Sequence, residues 1–343
     1  MMDKPAEKEN EVDSENELAE NLRFITEDTL SELNTGDYYI KEMLVSNSYY
    51  LDETEIPIHL EYKDAETKTI ELKSVKENVQ TTNEIDKVNA AGSKEVDGCK
   101  LVITDKDGKK IISWTSGDKD SVEVYVTEKD GYRNLKYSFD ESGNLHVGGL
   151  FHDVDYILTE TRPADGYVTA DSIIYQLKEV KSEEGTKTIV SIKQKDGSYS
   201  DRDDDKTVMH DEQTRIRFIK VDAKTGQGLA GAKIKVTDKN GKEVMSFISK
   251  EDGVDITGKL SVGETYTFTE VSAPRGYKIA DPVKLKIEDT SEVQKVTMKD
   301  EKIPNVPHVP QTGEDMPVLP IVSLVISLIV LGYELWKSIK GNK

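Results

Sequence analysis

Short segments in which polar and apolar residues alternate recur through the central part of this chain. Residues 233–237 alternate with a period of two and lead into Asn240-Gly241, a dipeptide that favours a tight hairpin turn. Residues 293–298 alternate in the same way. No segment of this region sustains a helical period, and short strands separated by turns are typical of β-sandwiches. The pattern therefore predicts an all-β region of antiparallel sandwiches.

The C-terminal end carries one long apolar segment, the 18 residues from 316 to 333. At about 1.5 Å per residue, a helix of this length nearly crosses a hydrocarbon core of roughly 30 Å. Lys337, Lys340 and Lys343 follow as a basic tail, which is typical of the cytoplasmic side of a membrane segment. We therefore predict one transmembrane helix, with the preceding part of the chain outside the cell.

The strand-rich region repeats itself. Residues 87–109 align with residues 220–242 at an offset of 133 (220 − 87), without a gap. Further on, residues 156–160 align with residues 266–270, and in both copies a tyrosine follows the glutamate by seven residues. The earlier copy is longer, and its insertions are polar and rich in glycine, lysine and aspartate. Such insertions favour surface hairpins or loops.

An incomplete third copy precedes these two. Glu42 lies seven residues before Tyr49, the spacing found in the other copies. Asn78 lies nine residues before Lys87, which is the position of Asp211 relative to the copy that follows it. The chain is thus predicted to begin inside a unit whose first half is missing.

These patterns predict seven segments. They are an acidic, disordered leader (residues 1–30), the C-terminal part of an incomplete unit (31–82), a complete unit with insertions (83–213), a second complete unit (214–302), a linker (303–315), a transmembrane helix (316–336) and a basic cytoplasmic tail (337–343). The leader has no apolar core and so does not resemble a secretory signal. The simplest reading is a fragment of a longer open reading frame, and the alternative is a complete protein inserted by its C-terminal span alone.

Composition narrows the function classes. The formal net charge is −20, from 66 acidic and 46 basic residues, which argues against a nucleic-acid partner. The single cysteine, Cys99, excludes an internal disulfide; it aligns with Ala232 and is expected to be a small packed residue. The five histidines are scattered without ligand spacing, so we expect no metal site and no cofactor.

Three motifs carry a family resemblance. The opening at residues 219–232, the Y-I-L-T-E-T box that begins at Tyr156 and the A-P-R-G-Y corner that ends at Tyr277 resemble SpaA/CnaB-type pilin and adhesin domains. The resemblance covers roughly Asp37 to Glu301. It implies a prealbumin-like, reversed immunoglobulin sandwich in each unit. The expected fold class is therefore all-β, with tandem immunoglobulin-like antiparallel sandwiches followed by one C-terminal transmembrane helix.

A second resemblance lies before the apolar segment. The pentapeptide is similar to the L-P-x-T-G sorting signal of Gram-positive surface proteins, with valine in place of leucine; its residues are Val309, Pro310, Gln311, Thr312 and Gly313. The resemblance implies that a sortase cleaves between Thr312 and Gly313 and joins the threonine to peptidoglycan or to a pilin subunit. The alternative is a plain single-pass anchor in which this pentapeptide is only a linker.

The first resemblance also implies a reaction inside each unit. In the family, a buried lysine amine attacks an aspartate or asparagine side chain to form an isopeptide bond, with a glutamate moving the protons. An ordinary lysine, with a pKa near 10.4, is charged and cannot attack, so burial has to favour its neutral form. The sandwich would hold the reacting groups together, so that proximity replaces an external catalyst.

Matched by position, the residues fall into three sets. They are Lys87, Glu160 and Asp211 in the longer unit, Lys220, Glu270 and Asp300 in the second complete unit, and Glu42 with Asn78 in the incomplete unit, which has no visible lysine. The expected bonds are Lys87–Asp211 and Lys220–Asp300, each formed with loss of water. The alternative is that these are ordinary solvated strand residues or exposed ion pairs, which contribute little.

The combined hypothesis is a surface stalk or adhesin fragment, anchored to a Gram-positive cell wall through Thr312. Its partners would be a sortase, the covalent acceptor, the membrane and an unidentified host or matrix ligand. It would be no turnover enzyme, because each bond forms once. Two alternatives stay open: a minor or basal pilin subunit, or the stalk of a larger extracellular enzyme whose catalytic domain lies upstream.

Overall fold

The computed structural model describes residues 34–64, 77–183 and 185–304. In these ranges the chain forms strands and one turn of 3-10 helix, Glu128–Asp130. The strands fall into three successive groups, which we call the incomplete unit, the middle unit and the last unit. Among the described residues, no helix has the length and apolar character that crossing a membrane requires.

The incomplete unit contains two antiparallel strands, β1 (Gly36–Ile40) and β2 (Ile56–Leu60). The middle unit contains eleven strands, β3 (Thr82–Asn89), β4 (Lys100–Asp105), β5 (Lys110–Thr115), β6 (Asp118–Val124), β7 (Lys136–Phe139), β8 (Leu145–Gly148), β9 (Tyr156–Arg162), β10 (Ile173–Ser182), β11 (Gly185–Lys193), β12 (Tyr199–Asp201) and β13 (Lys206–Asp211). The last unit contains seven, β14 (Arg215–Asp222), β15 (Lys233–Thr237), β16 (Glu243–Ile248), β17 (Val254–Thr257), β18 (Thr265–Ser272), β19 (Val283–Lys286) and β20 (Val293–Asp300).

Each complete unit is built of two sheets. In the last unit the strand orders are β17-β14-β20 and β16-β15-β18-β19. The middle unit keeps the same arrangement in β8-β3-β13 and β5-β4-β9-β10, and its insertions add strands at the edges. Strands β6 and β7 come from the first insertion, and β11 and β12 from the second. The insertions therefore widen both sheets as well as forming hairpins.

One pairing differs from the antiparallel arrangement that the sequence predicted. The first and last strands of each complete unit pair in parallel, β3 with β13 and β14 with β20. Parallel neighbours need a long connection, and here the rest of the unit supplies it. The remaining strand pairs among the described residues are antiparallel.

Alternation explains which side chains face the interior. Along β14 the buried positions are Ile216, Phe218, Lys220 and Asp222, every second residue of the strand. The two complete units bury separate apolar clusters, one centred on β4 and β9 and the other on β15 and β18. Two charged residues of β14 thus occupy positions that the pattern otherwise gives to apolar side chains.

The units are joined by a repeated connection, which we call the joint. The amide of Thr214 donates to the carbonyl of Gly166 at 2.9 Å, and its hydroxyl donates to the carbonyl of Leu260 at 2.8 Å. Thr81 makes the equivalent bonds to Ser48 at 3.0 Å and to Leu150 at 2.5 Å. At each joint, one threonine therefore donates hydrogen bonds to a carbonyl of the unit before it and to a carbonyl of the unit after it.

Several predicted segments lie outside the described residues. They are the leader, part of the incomplete unit (31–33 and 65–76), most of the linker with its sorting motif, the transmembrane helix and the basic tail. Those assignments stay predictions. The boundaries 83–213 and 214–302 also stay predictions, beside strand groups that start at Thr82 and Arg215.

Candidate functional site

Three strands bring one lysine and two acids together inside the last unit. Lys220 on β14 and Asp300 on β20 lie on neighbouring parallel strands, two register positions apart. Glu270 lies on β18, in the facing sheet, and follows Tyr266 and Phe268 along the inward face of that strand. Each of the three side chains thus continues a series of inward-facing residues and meets the others in the interior.

The contacts within this group are direct. Nζ of Lys220 donates to Oδ1 of Asp300 and lies 3.1 Å from Oε1 of Glu270. The second oxygen of Glu270, Oε2, accepts the backbone amide of Ala280 at 2.6 Å. This amide fixes the glutamate so that its other oxygen faces the lysine.

The middle unit repeats the group atom for atom. Nζ of Lys87 donates to Oδ1 of Asp211 and lies 3.1 Å from Oε1 of Glu160. The backbone amide of Ala170 donates to Oε2 of Glu160 at 2.7 Å. Lys87 and Asp211 again lie on neighbouring parallel strands, β3 and β13, and Glu160 lies on β9 of the facing sheet.

Both groups are buried. The exposed fraction is 0% for Lys220, 1% for Asp300 and 3% for Lys87, and the other members are buried as well. Burial raises the pKa of Asp211 and of Asp300, because low-dielectric surroundings disfavour the charged carboxylate. A raised carboxyl pKa means that the neutral, protonated form of each aspartate is easier to reach here than in water. The exposed-ion-pair alternative is wrong for these residues, since all six side chains are buried.

A family model for the SpaA prealbumin-like fold domain matches residues 81–199 and 214–302, which is more than half of the chain. The chain belongs to the SpaA family. No curated protein matches it. The two matched ranges contain both lysines, both glutamates and Asp300, whereas Asp211 lies between them.

Solved structures that are similar to this chain include a shaft pilin and a fragment of a pilus adhesin. The Bacillus anthracis TIE protein is 22% identical with a TM-score of 0.38, and the match covers 79% of this chain and 43% of that protein. The shaft pilin SpaA from Lactobacillus rhamnosus GG is 16% identical with a TM-score of 0.27, covering 66% and 99%. A C-terminal fragment of the pilus adhesin SpaC from the same organism is 13% identical with a TM-score of 0.34, covering 66% and 99%. This chain therefore spans less than half the length of the first protein.

The incomplete unit, which lies outside the two matched ranges, contains a glutamate and an asparagine in contact. Nδ2 of Asn78 donates to Oε1 of Glu42 at 2.5 Å. The backbone amide of Asp52 donates to Oε2 of Glu42 at 3.1 Å. In all three units, the amide that fixes the glutamate comes from the residue ten positions later, as the pairs 42 and 52, 160 and 170, and 270 and 280 show.

A turn follows the last unit's lysine and accounts for the residues V-D-A-K-T-G at 221–226, within the opening motif 219–232. The backbone amides of Thr225 and Lys224 both donate to Oδ1 of Asp222 at 2.8 Å, and Tyr277 donates to Oδ2 at 3.0 Å. The amide of Thr225 contributes most to lowering the pKa of Asp222 to about 2. Asn89 takes this position in the middle unit and accepts the amide of Ser93 at 2.9 Å.

Sequence reasoning missed two features of the SpaA site. Ser116 and Ser249, also 133 residues apart, accept the amides of Cys99 and Ala232 at 3.0 Å. Because the two serines are separated by the repeat offset of 133, a longer comparison of the two copies could have identified them. The other feature is that the buried Cys99 contacts Asp211, with Sγ 3.3 Å from Oδ2. Its predicted small, packed position fits its burial, but the contact depends on the facing sheet and is invisible in the sequence.

Two clusters among the described residues have donor atoms close enough to hold a metal ion. One consists of Cys99, Glu160 and Asp211, where Nζ of Lys87 contacts both acids. The other consists of Glu84, Asp140 and His146, where Lys206 pairs with Glu84 at 2.6 Å. In both clusters a lysine amine already contacts an acid.

Proposed function

We propose that this chain is part of a cell-surface stalk or adhesin in which each complete SpaA unit is closed by one autocatalytic Lys–Asp isopeptide bond. One observation carries the proposal: a buried lysine, aspartate and glutamate meet twice, with the same contacts. The proposed bonds are Lys87–Asp211 and Lys220–Asp300. Because each bond forms once, the chain is not a turnover enzyme.

The reaction follows from the contacts of the buried groups. A proton moves from the lysine ammonium to the aspartate, and the neutral amine attacks the carboxyl carbon. The glutamate accepts a proton from the attacking nitrogen and delivers one to the departing oxygen. A C–N bond forms, a C–O bond breaks and one water leaves. The raised pKa values of Asp211 and Asp300 support the neutral pair that this route requires.

A covalent tie would suit this composition. With the single buried Cys99, the chain has no disulfide to constrain its unfolded state. A bond between residues 80 or 124 positions apart would restrict the unfolded chain as a disulfide across a long loop does. Small exported units commonly depend on such cross-links.

The anchoring part of the proposal rests on sequence alone. We propose that a sortase cleaves between Thr312 and Gly313 and joins Thr312 to peptidoglycan or a pilin subunit, with residues 316–336 holding the precursor in the membrane. Incubation of the purified chain with a sortase and a triglycine nucleophile tests this. The expected product ends in Thr312 joined to the triglycine, and Thr312→Ala should abolish it.

Intact mass with peptide mapping tests the isopeptide bonds. The purified chain should be lighter than its sequence by two waters. Digestion should yield one branched peptide joining Lys87 to Asp211 and another joining Lys220 to Asp300. A full sequence mass, with linear peptides covering all four residues, would refute the bonds and leave the fold unaffected.

A further inference from the structure

The middle unit has a thiol at its reacting carboxyl. Cys99 lies immediately before β4, which pairs with β9, the strand that carries Glu160. Its Sγ lies 3.3 Å from Oδ2 of Asp211, while Lys87 contacts Oδ1. Glu160, 3% exposed, has Oε1 buried in the same space, 3.1 Å from Nζ of Lys87. The two carboxyl oxygens of Asp211 therefore have different neighbours, an amine and a thiol.

The last unit provides a natural comparison. Ala232 takes the position of Cys99, at the repeat offset of 133, and its amide is held by Ser249 as that of Cys99 is held by Ser116. Oδ2 of Asp300 is buried and has no hydrogen-bond partner. The backbone frames match, and the glutamates lie beside the aspartates in both units. The two units therefore differ in the contact of Oδ2, which the thiol approaches in Asp211 and which no donor among the described residues approaches in Asp300.

Burial also determines the form of the thiol. Desolvation raises the pKa of Cys99, and the neighbouring acids act in the same direction. A neutral S–H group is a weak hydrogen-bond donor and a poor nucleophile. The group at this position can therefore donate to an oxygen, whereas a thioester between Cys99 and Asp211 is disfavoured.

We propose that the Cys99 thiol is a catalytic residue of the middle unit, donating a hydrogen bond to Oδ2 of Asp211 while the Lys87 amine attacks the carboxyl carbon. The inference rests on the isopeptide bond proposed above. As the C–N bond forms, negative charge gathers on Oδ2, and a donor already in place stabilises it. Oδ1 then takes up protons through Glu160 and leaves as water, and Oδ2 remains as the carbonyl oxygen. The thiol keeps its proton and is not consumed.

The expected contribution is moderate. Removing a strong donor to a developing oxyanion slows an acyl transfer by roughly 100- to 1,000-fold. Because a thiol is a weaker donor than an amide or hydroxyl, we expect Cys99→Ala to slow formation of the Lys87–Asp211 bond about tenfold. Cys99→Ser keeps a donor in a similar volume and should react at the wild-type rate or faster.

A pulse experiment on the full chain measures this rate. The chain is synthesised for a short pulse with heavy lysine, chased with light lysine, and denatured in acid at intervals. Mass spectrometry then gives the ratio of heavy branched peptide, Lys87 joined to Asp211, to heavy linear peptide. The rate of formation of the Lys220–Asp300 peptide in the same sample serves as an internal reference, because Cys99 lies outside the last unit.

The reciprocal substitution tests the same idea in the other unit. Ala232→Cys should speed formation of the Lys220–Asp300 bond and leave the Lys87–Asp211 bond unchanged. Equal rates for wild type and Cys99→Ala would overturn the role of the thiol, as would an Ala232→Cys chain that reacts no faster. Equal slowing in Cys99→Ala and Cys99→Ser would assign the effect to packing and overturn it too. Absence of both branched peptides from the wild-type chain would instead refute the bond itself.

Discussion

The middle unit, with eleven strands, and the last unit, with seven, bury the same group of one lysine and two acids. Both place a lysine and an aspartate on neighbouring parallel strands and a glutamate on the facing sheet. Around this shared centre, the middle unit adds β6, β7, β11 and β12 at the sheet edges. Strands can be added at a sheet edge without moving the three strands that carry the lysine, the aspartate and the glutamate. The contacts of the buried group are therefore the same in both units.

The immediate neighbours of the two groups differ more subtly. Cys99 and Asp86 of the middle unit are replaced by Ala232 and Ile219 in the last unit. The central contacts are nevertheless the same. The comparison shows that the shared contacts go with the same strand register and one backbone amide, and that they tolerate different residues at these two positions.

Loss of the aspartate should produce the largest effect. In Asp300→Ala the Lys220–Asp300 bond cannot form, and the loss of a cross-link across this separation of 80 residues should cost about 4.5 kcal/mol in the free energy of unfolding of the last unit. Urea unfolding and intact mass measure this, and the exposed Asp281→Ala is the control. Asp300→Asn should still form the bond, releasing ammonia, and give the wild-type product mass. An Asp300→Ala chain as light as the wild type would contradict the assignment.

Replacing the glutamate should slow the reaction without removing a bonding partner. Glu270→Gln keeps an oxygen for the amide of Ala280 but cannot relay protons, so bond formation in the last unit should slow by roughly 100- to 10,000-fold. Glu160→Gln should do the same in the middle unit alone. The branched peptides of the two units, quantified in one digest, separate these effects. Glu264→Gln, at an exposed ion pair with Lys239, should leave both rates unchanged.

A change at the joint should have a smaller effect. Thr214→Val keeps the side-chain shape but removes the hydroxyl that donates to Leu260, leaving a buried carbonyl unsatisfied. We expect a loss of about 1–3 kcal/mol and faster hydrogen exchange around residue 214. Thr81→Val should act likewise at the preceding joint. Thr297→Val, at an exposed position of β20, is the control, and a change of the same size there would argue against a specific joint.

The smallest expected effect is a pH dependence confined to the middle unit. Burial and the neighbouring Glu84 raise the pKa of Asp86 to about 6, while Lys206 opposes the shift. A carboxyl whose pKa is raised by folding stabilises the fold below its unfolded pKa, near 4, and this contribution is lost as pH rises through about 6. Partial exposure limits it to about 1 kcal/mol. Asp86→Asn should therefore reduce the difference in unfolding free energy between pH 4 and pH 7.

Ile219 makes this prediction specific. The last unit has an apolar residue where the middle unit has Asp86, so the same pH change should leave the last unit without this component. Separate urea transitions for the two units, followed by hydrogen exchange, would measure it. A matching response in both units would show that Asp86 is not its source.

Much of the fold could be predicted because the signals are local or repeated. Alternation along residues 233–237 and 293–298 predicted strands that the structure contains as β15 and part of β20. The offset of 133 paired Lys87 with Lys220, and family resemblance pointed to the acids that meet them. The structure brings these side chains together, while their chemical roles stay predictions.

What sequence could not provide depends on distant parts of the chain. The edge positions of β11 and β12 depend on which strand reaches the open side of β10, and polar insertions carry little periodic signal. The parallel pairing of β14 with β20 joins residues about 80 positions apart, beyond any local pattern. The contact between Cys99 and Asp211 likewise depends on how the two sheets face each other.

The parallel pairing of β3 with β13 also determines which residues would carry a pulling force. Chain enters the middle unit at the start of β3 and leaves at the end of β13, so a pull on the two ends acts along both strands in opposite senses. With the proposed bond in place, force would pass from residues 81–87 directly to residues 211–214. The 123 residues between them (210 − 87) would carry almost none of it. A shaft of such units would transmit a load through short covalent segments and stretch very little.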